Sequence, residues 1–456
     1  MSAHGSRWAA AARPMRALEL ARPLLALAAA ALLAGCARVS PPTAPGALTG
    51  VDFTNYVAVG NSLTAGFQSG GLLDAHQDAA YPVLLARQAG LAAFPHPRIS
   101  DPGFPGLLEL DFSHPEPPLP FSILTPSELG GLENPEQAPY QNLGVPGARI
   151  VDFFANDPTN PMFALLLGER GSMWQQLKAR HPRFVTFWLG SNDALNALLV
   201  GDPSVMTPAD VFSAAYGAAL DSVLSTGAQV AAANIPGILD TPFATTVPPY
   251  AFDPVTGRPI TFLGQKIYFL GQRDDGTHGT LEPGSLVTLP ALSYLANGDG
   301  IPALLGGSGR PLPDSVVLTP NEVAAIRTRT GQFNATIRDS CAAHHVPVMD
   351  ANALFHLLKG SGYSLGGVVF TTQWVQGGII SLDGIHPTDL GQALMANQWI
   401  ATIDGFYGAN LRPVSLRPFL SVPTAPAASA PGGSPLAGLV RAARNVDWAR
   451  VTRYGF

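Results

Sequence analysis

The chain has 456 residues, 46% of them hydrophobic and 13% charged, with a formal net charge of −6 and a mean hydropathy of +0.19. This length and composition describe a globular protein of one large domain with insertions, or of two domains, and set aside disordered and fibrous chains. The charged fraction lies well below the usual ~25% and its balance is acidic, so no basic face invites nucleic acid.

The first residues read as an export signal. Arg7, Arg13, Arg16 and Arg22 precede the apolar run PLLALAAAALLAG (23–35), and Cys36 follows it. A basic segment, a short apolar core and small residues before a cut describe a secretory signal over residues 1–35. The core is shorter than the ~20 residues of a membrane span. Met15 offers a second start that leaves this signal intact. Leu33-Ala34-Gly35 directly before Cys36 resembles a bacterial lipobox. The resemblance implies cleavage before Cys36 and lipid on its thiol and new amine, which would anchor the protein to the cell envelope. Ala37 is not the aspartate that the lipoprotein pattern associates with inner-membrane retention, so the outer membrane is the expected address. Residues 36–50 then form a flexible tether. With Cys36 modified, Cys341 has no cysteine to pair with, and its helical surroundings read as those of a small buried apolar residue. No Cys/His cluster has zinc spacing, so neither metal nor cofactor is expected.

From Tyr56 onward, short apolar runs alternate with amphipathic stretches. Strands are expected at YVAVG (56–60), YQNLG (140–144), FVTFWLG (184–190), AQVAAANIP (228–236) and VPVMDA (346–351). Helices are expected at 81–91, 163–181, 208–227, 320–345 and 388–408. Thr207-Pro208, Thr319-Pro320 and Pro387-Thr388 supply start signals for the last three. Continuously apolar strands separated by helices predict an α/β fold with a parallel sheet covered on both faces. Two Pro/Gly-rich segments, 95–139 and 241–318, interrupt the rhythm as insertions near strand ends. They either roof a site or pad the surface. Residues 411–456 form an appendage: a Pro/Ala/Ser/Gly-rich run, SVPTAPAASAPGGSP, then a short helix within PLAGLVRAARNVDWARV.

Four short blocks carry chemistry. The first strand ends at Gly60 and delivers Ser62 into a turn. Such a serine is either a local turn former or a nucleophile at the carboxyl edge of a parallel sheet. A serine hydroxyl needs a base, and His386 in SLDGIHPTDLG (381–391) stands three residues after Asp383. Asp383 can orient the imidazole and stabilise its charged form, or it can merely cap a turn. An acyl-transfer site also needs oxyanion donors. Candidates are the backbone N–H of Ser62, Gly144 in NLGVPGAR (142–149), and the side-chain amide of Asn192 in WLGSND (188–193). As bystanders, Gly144 is a turn glycine and Asn192 a helix cap. A phosphate loop is excluded, because Phe67 rather than Lys-Ser/Thr follows Gly66.

The blocks occur in one order: Gly60-Asn61-Ser62-Leu63, Gly144, Gly190-Ser191-Asn192-Asp193 and Asp383-Gly384-Ile385-His386-Pro387. At this point the sequence resembles the SGNH, or GDSL-type, hydrolases, from about Val51 to about Gly408 with the two insertions outside the likeness. The resemblance implies a three-layer flavodoxin-like fold over residues 51–410 and metal-free ester hydrolysis. It places the nucleophile at Ser62, the acid–base pair at Asp383 and His386, and the oxyanion hole at Ser62, Gly144 and Asn192. Asn61 stands where the family usually has aspartate. Apolar insertion segments such as FPGLLELDF (104–112) and KIYFLG (266–271) favour an apolar acyl ester as substrate. Removal of acetyl groups from sugars, and a non-catalytic lipid- or glycan-binding lipoprotein on the same fold, are the alternatives.

Overall fold

The computed structural model describes residues 50–117, 119–253, 256–420 and 435–454. The signal segment, Cys36 and almost all of the tether lie outside them. Five strands form the central sheet: β1 (Tyr56–Gly60), β2 (Asn142–Gly144), β3 (Phe184–Trp188), β4 (Gln229–Ala233) and β5 (Val348–Met349). All pair in parallel, in the spatial order β2-β1-β3-β4-β5. This is the flavodoxin-like order, whose switch point lies between β1 and β3. Each strand coincides with an expected run or is a shortened version of it.

The helices include α1 (Ser62–Ala65), α2 (Tyr81–Gln88), α3 (Met173–Arg180), α4 (Ser191–Val200), α5 (Ala209–Leu224), α6 (Ala291–Ala296), α7 (Pro320–Ala343), α8 (Ala351–Gly360), α9 (Asp389–Tyr407), α10 (Pro435–Ala442) and α11 (Trp448–Tyr454), with further short ones at Asp74–Gln77, Pro161–Leu167 and Pro242–Thr245. The two-residue alternation of the strands divides the core. Val57, Val59, Val185 and Phe187 face one cluster, with Phe212, Tyr216 and Phe333 from α5 and α7. Tyr56, Ala58, Phe184 and Trp188 face the other, with Leu84, Leu85 and Trp399 from α2 and α9. A sheet buried on both faces is apolar almost throughout; the buried exception in the central strand, Thr186, is bonded to the Tyr56 hydroxyl at 2.9 Å. Full burial of each such large side chain stabilises the fold by about 1.5–3 kcal/mol.

Several details differ from the expectations. The helix expected over 163–181 breaks at Gly168 and Gly171, both at positive φ; Ser172 then caps α3 through a capping box with Gln175. Helices α1, α4, α6 and α8 have no counterpart among the expected stretches. Thr319 and Thr388 cap α7 and α9. Thr207 does not cap α5; its hydroxyl donates instead to Asp193 at 2.7 Å. Cys341 is fully buried beside the Tyr216 hydroxyl, and burial pushes its thiol up to about 11. The appendage forms two helices rather than one, and Leu439, Ala443, Val446, Trp448 and Val451 are buried in the first core cluster. No described helix is long and apolar enough to cross a membrane.

Candidate active site

Ser62 leaves the carboxyl end of β1 as the first residue of α1. Its N–H belongs to the helix's first turn and has no intrahelical acceptor. Asn61 caps that turn: its side chain accepts from Leu63 N–H at 3.1 Å. An amide oxygen does this as well as a carboxylate does, so the residue that departs from the family pattern still braces the serine turn.

Gly60 pairs with Gly144 on one side and with Trp188 on the other. The ends of β2 and β3 therefore flank the serine. After β2, Pro146 and Gly147 form a turn closed by Ala148 N–H to Val145 O at 3.1 Å. Gly147 has φ +81°, the position where a type II turn requires glycine. Asn192, in the first turn of α4, donates from Nδ2 to Ala148 O at 2.9 Å. This bond uses one of its two amide hydrogens and fixes the plane of the other.

Gly144 behaves differently from its expected role. Its N–H donates to Asn142 Oδ1 at 2.9 Å, so the amide expected to face an oxyanion is already engaged. Its lack of a side chain serves packing, since a Cβ there would stand 2.6 Å from Ala65 N and 2.9 Å from Thr64. Helix α1 can rest on β2 only because nothing protrudes at this point. Sequence reading missed Gly147, whose N–H has no hydrogen-bond acceptor among the described residues. The proline-glycine pair of NLGVPGAR was the available signal for a turn there.

Asp383 and His386 occupy a tight loop before α9. Asp383 Oδ1 accepts the N–H groups of Ile385 and His386, each at 2.9 Å. Its Oδ2 meets His386 Nδ1 at 2.9 Å and accepts Gly70 N–H at 2.9 Å. The two readings of Asp383, turn cap and histidine partner, are thus both realised, one on each oxygen. Burial alone would raise this carboxyl; the charge of His386 and the converging N–H groups hold it below its ordinary value. With Oδ2 opposite Nδ1, the tautomer that bears its proton on Nδ1 is favoured, which leaves Nε2 to act as a base.

The serine segment and the histidine loop are tied at several points. Phe67 N–H donates to Ser62 O at 3.0 Å, and the Phe67 ring lies 4.8 Å from the His386 ring, centroid to centroid. Ser69 N–H donates to Ser381 Oγ at 2.8 Å. Gln392, on α9, donates to Leu63 O and accepts from Tyr81 N–H. Ser62, Asn192, Asp383 and His386 are all buried, none more than 3% exposed. Asp193, beside Asn192, joins three segments: it accepts Ile150 N–H at 2.9 Å as well as the Thr207 hydroxyl. Burial pushes its carboxyl up to about 6 against these bonds. Among the described residues no cluster of His, Cys, Asp and Glu could hold a metal.

The family model of the GDSL-like lipase/acylhydrolases matches residues 56–399. The chain belongs to that family. It is an ester-bond hydrolase, and the family's α/β architecture is the one described above. Loose structural likenesses accompany the match. The lipase/acylhydrolase from Enterococcus faecalis is 14% identical at a TM-score of 0.31, covering 79% of this chain and 98% of its own. The extracellular lipase from Streptomyces rimosus is 15% identical at 0.30, covering 77% and 99%. Phospholipase A1 from Streptomyces albidoflavus is 14% identical at 0.31, covering 78% and 100%. No curated relative matches the chain. The GDSL-like assignment rests on the family match, which spans more than half of the residues.

Proposed function

We propose that this GDSL-like hydrolase cleaves esters through a Ser62-His386-Asp383 triad and an acyl-enzyme. Ser62 Oγ attacks the acyl carbon while His386 Nε2 takes its proton. Asp383 holds the imidazole and stabilises its charged form. The carbonyl oxygen becomes an oxyanion that receives the Ser62 N–H and the second Asn192 amide hydrogen. The third donor is the N–H of Gly147 rather than that of Gly144, which Asn142 engages. His386 then returns the proton to the leaving alcohol. Water repeats the cycle on the acyl-enzyme and releases the acid. Each fixed oxyanion donor contributes about 3–4 kcal/mol to such a transition state.

The observation that carries this reading is the Asp383–His386 pair, bonded at 2.9 Å and tied through Gly70 N–H to the segment that follows Ser62. The apolar character of both insertions supports an ester with an apolar acyl chain. The signal and lipobox-like sequence support export and a lipid anchor at Cys36, with the outer membrane as the destination. The deciding measurement is Ser62→Ala assayed with p-nitrophenyl acyl esters from acetate to palmitate, beside an acetylated polysaccharide. Turnover is expected to fall by about 10³-fold or more. Undiminished turnover in a pure, folded variant would remove Ser62 from its role.

A further inference from the structure

We propose that the C-terminal helical pair, α10 and α11, is an intramolecular cover seated in the acyl-chain groove of the Ser62 site, and that the groove beneath it takes the long apolar acyl chain of an ester. The proposal rests on the reading of Ser62 as nucleophile and adds to it a means of control.

The first observation is closure. Ser62, Asn192 and His386 are almost wholly buried, yet an ester has to reach all three. The second is where the C-terminal pair sits. A Cβ on Gly70 would meet the methyl groups of Val451 at 3.5 and 3.6 Å, and it is Gly70 whose N–H binds the Asp383 carboxylate. The Trp448 ring lies 6.3 Å from that of Trp374, and the Trp374 indole donates to Leu382 O, one residue before Asp383. Helix α11 therefore rests on the loops that hold the acid–base pair.

The pair also bridges the two insertions. Asp447 N–H donates to Thr125 Oγ1 at 3.2 Å, Arg444 meets Glu116 at 2.8 Å, and the Arg450 guanidinium donates to Pro126 O. On the other side, Ala443 O accepts from the Ser293 hydroxyl at 3.5 Å. The underside of the cover is apolar, through Leu439, Val446, Trp448 and Val451. The surface beneath and beside it is apolar as well, including Leu108, Phe252, Leu295, Val316 and Trp374. An apolar floor covered by an apolar segment of the same chain is chemically matched to an acyl chain, which would take the segment's place.

Open surface clefts of about 500 Å³ and 760 Å³ border the pair. The Trp448 indole nitrogen is buried with no acceptor among the described residues. The pair contributes no strand to the sheet, and in sequence it follows the Pro/Ala/Ser/Gly-rich run 421–434. It can leave the groove with the sheet intact.

The test uses the full chain with a site-specific protease recognition sequence placed within 421–434, compared before and after cleavage. The readouts are the rate at which a fluorophosphonate labels Ser62 and the turnover of p-nitrophenyl esters of increasing acyl length. Release of the C-terminal peptide is expected to raise both by about tenfold or more, the factor for an open form populated at ~10% or less, with long-chain esters gaining more than acetate. Should the peptide stay bound after cleavage, the double variant Trp448→Ala, Val451→Ala in the uncut chain is expected to raise both in the same direction. Equal or lower rates in the folded, peptide-free protein, or in that variant, would overturn the cover. Labelling at Ser62 that is indifferent to the C-terminal pair sinks the cover alone. Absence of labelling in every form, with turnover unchanged in Ser62→Ala, sinks the nucleophile.

Discussion

Asn61 shows how a departure from a family motif can leave its physics intact. The position has to cap a four-residue helix, and the Asn61 side chain does so by accepting the Leu63 N–H. Asn61→Asp keeps the acceptor and is expected to retain turnover within a few-fold. Asn61→Ala removes the cap, at about 1 kcal/mol of stability, and lowers kcat more than it changes KM, because Ser62 loses its fixed turn; urea unfolding and steady-state kinetics check both. Asp193 gives a pH signature. Its carboxyl rises from 3.8 to about 6 on burial, so the native state binds this proton more tightly than the unfolded chain does. Its contribution therefore favours folding below about pH 4 and is lost as pH rises through about 6. At about 1.4 kcal/mol per pKa unit the swing is about 3 kcal/mol. Asp383 acts in the opposite sense: its lowered carboxyl stabilises the fold above the ordinary value and ceases to do so in stronger acid. The difference in unfolding free energy between the wild type and Asp193→Asn is expected to favour the wild type most near pH 4 and to shrink by pH 7. A difference that does not vary over that range would contradict the assignment.

At the scale of elements, the site depends on one buried amide and one bare Cα. Gln392 joins α9 to α1 through Leu63 O and to α2 through Tyr81 N–H. It thereby couples the helix that follows His386 to the helix that begins at Ser62. Gln392→Leu leaves a buried carbonyl and a buried N–H without partners. The expected loss is about 2–4 kcal/mol by denaturant midpoint, with a fall in kcat from the relaxed spacing between the serine turn and the histidine loop. Gly144 lets α1 lie on β2, since a Cβ would stand 2.6 Å from the Ala65 nitrogen. That packing role was hidden in the sequence, where a glycine at a strand end reads equally as a turn residue or an oxyanion donor. The break at Gly168 and Gly171 lies in the polar stretch GERGS (168–172), and it was hidden because the apolar residues on either side, Leu167 and Trp174, keep a helical spacing of seven. Helix α4 has no separate start signal in the sequence, because it begins inside the WLGSND block almost directly after β3.

At the scale of the molecule, the anchor proposal gives a prediction independent of the site. Cys36→Ser is expected to move the exported protein from the detergent phase to the aqueous phase in a phase-partition experiment and to leave turnover of soluble esters unchanged. Retention in the detergent phase would place the membrane attachment elsewhere. The C-terminal residues show the limit of composition as a guide. A Pro/Ala-rich run followed by a weak helical pattern reads as an appendage, yet α10 and α11 are packed into the core beside both insertions.

By itself the sequence determined the α/β class, the positions of the five strands, the identity of Ser62, Asn192, Asp383 and His386 as candidate site residues, and the departure at Asn61. These are local properties: apolar runs, hydrogen-bonding residue types, and glycine and proline at strand ends. Only the tertiary structure decided that Gly144 has its amide engaged by Asn142, that Thr207 serves Asp193 instead of a helix end, that Gly70 holds the Asp383 carboxylate, and that the last helices pack against Gly70 and Trp374. Each of those depends on which distant group lies within about 3 Å of which, and that distance follows from packing across the whole sheet, not from any short stretch of chain.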